Sequence, residues 1–99
     1  MRFIVKNEGT LDNPQFAIEP DGDWSKIWNL GFINNNQELE ELIIQQLSQL
    51  DASKLTFNSD SSRFHVYTQQ QKIAQSMSVK FKKAVIKGLQ RKLLEELTN

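Results

Sequence analysis

The single histidine, His65, stands in the alternating run Arg63-Phe64-His65-Val66-Tyr67-Thr68. Successive side chains of a strand point to opposite faces, so Arg63, His65 and Tyr67 share one face and Phe64 and Val66 the other. A histidine beside cationic groups suits acid–base work on a phosphodiester. The sequence marks no second proton-transfer group beside it, and a polar outer sheet face forms without any function, so the chain is not expected to be an enzyme. Glu19, Asp21 and Asp23 have the spacing that opens a calcium loop, but Gly22 is misplaced and no glutamate follows at the required distance, which leaves a simple turn. Phosphate-cradling glycine loops, nucleophile elbows and helical zinc motifs are absent, and four glycines could not build the first of these. With no cysteine there is no disulfide, thiolate metal site or cysteine nucleophile. No metal, cofactor or small-molecule substrate is expected.

The remaining candidates are binding groups. Trp24 and Trp28, four residues apart, either pack or anchor a partner, and they follow Asp21 and Asp23 in a turn. Glu38 and Glu41 lie on the polar side of an amphipathic helix. Lys80, Lys83, Lys87 and Arg91 make a basic stripe of about 80° on the last helix, which suits a phosphate backbone or, equally, a solvated face. No aromatic residues interleave with that stripe, which weakens a nucleic-acid reading. Together these give two expected surfaces: Asp21, Asp23, Trp24, Trp28, Glu38 and Glu41 toward a protein partner, and alternatively Arg63, His65, Tyr67, Lys80, Lys83, Lys87 and Arg91.

Residues 2–6 and 15–19 alternate, with Phe3, Val5, Phe16 and Ile18 on one face and turn-formers between, and predict an antiparallel pair. A short helix is expected over residues 24–30, between Asp23 and Gly31 as caps. The stripe of Leu39, Leu42, Ile43, Leu47 and Leu50 predicts a helix over 37–50 with Asn35 as N-cap. A second hairpin follows, from residues 54–58 and 63–68, and then helical pattern to about Leu97. Those last 29 residues would make a rod of about 43 Å, longer than the roughly 34 Å diameter of a domain this size, so a break near Gly88 is expected. The order is β-β-α-α-β-β-α, an α+β domain spanning residues 1–99. Its four-stranded antiparallel sheet carries helices on the face of Phe3, Phe16, Phe57 and Phe64.

Ninety-nine residues leave room for one core. The first eight have no apolar stretch of signal-peptide length and nothing approaches a membrane span, so a cytoplasmic protein without a membrane partner is expected. The zero net charge conceals a division. Residues 1–60 hold four basic and ten acidic residues, net −6, and residues 61–99 hold eight basic and two acidic, net +6. The halves either attract one another within the fold or present separate charged surfaces.

From Trp24 to Val85 the chain has a Trp-containing short helix, an acidic amphipathic helix, the run Leu55-Thr56-Phe57-Asn58-Ser59-Asp60-Ser61-Ser62-Arg63-Phe64-His65-Val66-Tyr67-Thr68, and then Lys72-Ile73-Ala74. This stretch resembles small immunity proteins of bacterial polymorphic toxin systems of the contact-dependent inhibition type. The resemblance implies a noncatalytic cytosolic protein that forms a heterodimer with a cognate toxin and blocks it, and it brings no catalytic residue. The acidic half independently suits an inhibitor of a basic nuclease. The alternative is a small phage or plasmid regulatory protein that binds nucleic acid through the basic C-terminal helix.

Overall fold

Apolar residues recurring at period two give the strands their buried face. The computed structural model describes residues 2–22, 24 and 31–98. In it β1 (Phe3–Asn7) and β2 (Phe16–Pro20) pair antiparallel, Val5 opposite Ile18 and Lys6 opposite Ala17. β3 (Thr56–Phe57) and β4 (Val66–Thr68) form the second hairpin, and β4 joins β2 with Tyr67 opposite Ala17. The four strands make one antiparallel sheet of order β1-β2-β4-β3. β3 and β4 are shorter than the alternation predicts because side chains take over the turn. The Asp60 carboxylate accepts from the backbone N–H of Ser62 (2.9 Å) and of Arg63 (3.0 Å), and beyond β3 and β4 two backbone bonds hold the hairpin, Asn58 N–H to His65 O at 2.8 Å and Asp60 N–H to Arg63 O at 3.0 Å.

Helix α1 (Asn36–Gln46) starts where the capping residues predict, the Asn35 side chain accepting from the Glu38 N–H at 2.9 Å, and buries Leu39, Leu42 and Ile43. It ends four residues earlier than expected. Ser48 caps a new short helix, α2 (Gln49–Ser53), by accepting from the Asp51 N–H, and this redirection leaves Leu50 exposed rather than on the apolar stripe. The helix expected over 24–30 lies outside the described residues.

α3 (Gln71–Thr98) is one uninterrupted helix, so the expected break at Gly88 does not occur. Its 28 residues make about 42 Å of helix. The molecule measures 51 × 27 × 19 Å, and the elongated shape removes the limit that a spherical domain would impose. Gly88 has another use. A Cβ there would lie 2.7 Å from Cγ of Leu42, so glycine lets α3 approach α1 closely.

Phe3, Ile18, Phe64 and Val66 from the sheet meet Leu39, Leu42 and Ile43 of α1 and Ala74, Met77, Phe81, Ala84 and Val85 of α3. Phe81 meets Phe3 edge-on with ring centroids 5.5 Å apart, and Phe64 lies 6.0 Å from Phe3. The assignment of faces holds. Phe16 and Phe57 are on the core side but half-buried at its margin, Phe57 because β3 is a short edge strand.

Candidate functional site

α1 positions a cluster of carboxylates. Its apolar side faces α3, so the remaining face carries Gln37, Glu38, Glu40 and Glu41, which with Asn35 and Ser59 line an open groove of about 590 Å³. Glu38 accepts from the Asn34 N–H, closing the helix start, and Glu40 accepts from the Ser59 N–H at 3.0 Å. Glu41 is exposed. Among the described residues no lysine, arginine or histidine nitrogen comes within 4.0 Å of any of these three carboxylates; the ion pairs of the molecule lie elsewhere. Lys92 approaches the edge of the patch, where with Glu38, Glu41 and Phe32 it lines a smaller cavity of about 150 Å³.

The other acidic candidates stand apart from this groove. Asp21, at the end of β2, is held by the Nε of Arg2 at 2.6 Å, and its backbone N–H donates to the Arg2 carbonyl. Trp24 is half-buried and packs against the core cluster, which uses its ring structurally. Asp23 and Trp28 lie outside the described residues.

The open face of the sheet brings together Arg63, His65 and Tyr67, as the alternation predicts, with the rings of His65 and Tyr67 4.8 Å apart. The structure adds Glu8, Gln15 and Glu19. Arg63 pairs with Glu8 and lies 3.6 Å from Glu19, Lys6 reaches Glu19 at 2.7 Å, and His65 Nε2 lies 3.7 Å from Glu8 and 3.3 Å from the Gln15 amide nitrogen. Glu8 is thus a titratable neighbour of His65 that the sequence did not mark. The same carboxylate is capped by Arg63, so the patch is a closed network of opposite charges. The hydrogen bond and charge of Glu19 hold the Lys6 ammonium above its ordinary value. Glu8 stands in a turn-forming stretch, and its place beside His65 follows from the way the β1–β2 loop continues the ladder, with Glu8 N–H donating to the Gln15 carbonyl at 2.8 Å.

Of the basic stripe on α3, Lys80 is engaged by Asp51 at 2.8 Å, whereas Lys83, Lys87 and Arg91 have no carboxylate within 4.0 Å among the described residues. The Asp51 carboxyl is held below its usual range, first by the hydrogen bond from Lys80 and then, against partial burial, by the charges of Lys80 and Lys54. Lys80, Lys83 and Lys87 line a cavity of about 180 Å³ with Ser48 and Asp51. The acidic and basic halves of the chain thus meet at Arg63 and Lys80 but leave the α1 glutamates and the rest of the basic stripe apart.

Among the described residues no helix is long and apolar enough to cross a membrane, and no group of three or more His, Asp or Glu side chains is placed to hold a metal ion. No protein-family model, curated protein or solved structure matches the chain.

Proposed function

We propose that the protein is a cytosolic immunity protein that captures a basic cognate toxin, a nuclease by preference, and that α1 is the face it presents. The observation that carries this reading is the groove over α1, where three carboxylates share one surface and, among the described residues, none has a cationic nitrogen within 4.0 Å. Unanswered charge on a surface raises the encounter rate with an oppositely charged partner, and its desolvation is repaid only when that partner supplies cations. The resemblance of residues 24–85 to immunity proteins supports the same class.

The test exchanges Glu38, Glu40 and Glu41 together for glutamine, which keeps the acceptor oxygens used at the helix start and at Ser59. Association with a cognate toxin domain should slow by about tenfold at low salt and lose most of its salt dependence, with a smaller change in dissociation. Asp21→Asn should do less, because Arg2 already answers that charge. An unchanged association rate with the triple variant overturns the reading.

A second reading rests on Lys83, Lys87 and Arg91, which have no acidic partner within 4.0 Å among the described residues. In it these side chains follow a phosphate backbone, and binding to a random duplex should weaken steeply with salt. Exchange of the three for glutamine would then lower the salt slope.

A further inference from the structure

The ring nitrogen Nε2 of His65 stands between two groups that require opposite protonation states of it. The Gln15 amide nitrogen lies 3.3 Å away, and an amide nitrogen only donates. Glu8 Oε2 lies 3.7 Å away, and an ionised carboxylate only accepts. Unprotonated, Nε2 accepts from Gln15, and the proton of the neutral ring is then on Nδ1. Protonated, Nε2 meets the Gln15 amide as a second donor and suits only Glu8. The two oxygens of that carboxylate are already divided, Oε1 on Arg63 and Oε2 toward His65. Glu8 can therefore take up the imidazolium without releasing the guanidinium.

We propose that His65 is a proton-driven latch on the β1–β2 loop, bound to Gln15 when neutral and to Glu8 when charged. Glu8 and Gln15 are the two limbs of that loop, joined by the Glu8 N–H to the Gln15 carbonyl at 2.8 Å. Protonation thus moves the hold of the ring from one limb to the other, and in mild acid it makes Arg63, Glu8 and His65 one continuous clamp across the open sheet face. The surrounding charges favour the exchange. They come from every segment packed around the ring: Lys6 in β1, Glu8 in the loop, Glu19 in β2, and Asp60 and Arg63 in the β3–β4 hairpin. Two cations against three carboxylates leave this cluster at 2 − 3 = −1 while the ring is neutral, and the imidazolium brings it to zero. The Asp60 carboxyl, lowered first by the Ser62 hydroxyl and N–H, is lowered further by a charge on His65. The remaining titratable neighbour is Tyr67, its ring centre 4.8 Å away. With its side chain 18% exposed, His65 is open to proton exchange yet partly shielded from the screening of bulk water.

NMR of the full chain between about pH 5 and about pH 8, the range in which histidine ordinarily changes charge, tests this. Long-range proton–nitrogen spectra should show the neutral His65 ring protonated on Nδ1. The side-chain amide resonances of Gln15 should move with the same midpoint as the ring. Gln15→Ala removes a bond that only the neutral ring makes and should shift the ring's midpoint upward. Glu8→Gln removes the charge that favours the imidazolium and should shift it downward. The Gln15 variant carries the distinction, because a ring that only sensed nearby charge would respond to Glu8 and not to an uncharged amide. A neutral ring protonated on Nε2 overturns the proposal, as does a Gln15 amide that stays still while the ring titrates. A midpoint that Gln15→Ala leaves in place or lowers overturns it equally.

Discussion

The open sheet face and the outer face of α1 are both polar and both carry carboxylates. On the sheet, Glu8 and Glu19 are answered by Arg63 and Lys6, and the four charges cancel. On α1, Glu38 and Glu40 accept from backbone N–H groups, and among the described residues none of Glu38, Glu40 and Glu41 has an ion pair, so their charge remains. The sheet face has the residue types of an acid–base site, yet its network consumes them in holding strands and loop together. The α1 face has no such constellation, yet it projects a field. Residue type drew attention to the first region, whereas the absence of a counter-charge identifies the second.

The largest effect is expected where the paired face is anchored. Phe64 lies between Arg63 and His65 and points into the core, 5% exposed. Phe64→Ala should cost about 3 to 5 kcal/mol by urea unfolding. Phe57→Ala, at the half-buried margin, should cost clearly less. Equal losses would show that the edge strand is as well packed as the centre.

Next comes the loop that delivers Glu8. A Cβ on Gly9 would stand 2.3 Å from the Gln15 nitrogen and 2.4 Å from the Asn13 carbonyl oxygen, both backbone atoms that cannot turn aside. Gly9→Ala should cost about 2 kcal/mol and release Glu8 from Arg63 and His65. In NMR spectra the His65 ring resonances should then no longer move on Glu8→Gln, since the contact between the two side chains is gone. An unchanged stability would mean that this loop has another packing.

Legibility followed the same division. Alternation placed Phe3, Ile18, Phe64 and Val66 inside and Arg63, His65 and Tyr67 outside, because a strand's period is local. The stripe of Leu39, Leu42 and Ile43 with Asn35 as cap gave α1 for the same reason. The pairing of Glu8 with His65 is set by the register of a loop 57 residues away in sequence, which no local pattern encodes. The continuity of α3 through Gly88 depended on overall shape: a rod too long for a sphere fits a molecule 51 Å long. That the α1 glutamates have no ion pair among the described residues depends on how the tertiary fold places the basic side chains, and composition alone shows only that both signs are present.

Smaller again is the contribution of individual pairs. Arg63→Met should cost about 1 kcal/mol, since its partners are partly solvated. The Asp60 carboxyl that shapes the turn before Arg63 is held below its usual range, chiefly by the Ser62 hydroxyl and then by the Ser62 N–H. A carboxyl depressed in the folded state adds stability that is present above its unfolded value and lost as pH falls through the folded one. The acid limb of unfolding, below about pH 4, should therefore flatten in Asp60→Asn, while stability near neutrality responds only to the lost turn contacts.

The smallest effect is the most telling for the comparison. Glu41 is exposed and has no ion pair among the described residues, and it stands three residues after Glu38 on the same helix, where like charges repel by a few tenths of a kcal/mol. Glu41→Gln should therefore leave the unfolding free energy in urea within about 0.5 kcal/mol of the wild type, on the stabilising side at low salt. Added sodium chloride screens the same repulsion and should narrow the difference. Arg63→Met should respond in the opposite direction, since salt weakens the pairs it removes and so shrinks its cost. A loss above about 1 kcal/mol from Glu41→Gln would mean that Glu41 is held by a partner within the molecule, and the α1 face would then be structural in the same sense as the sheet.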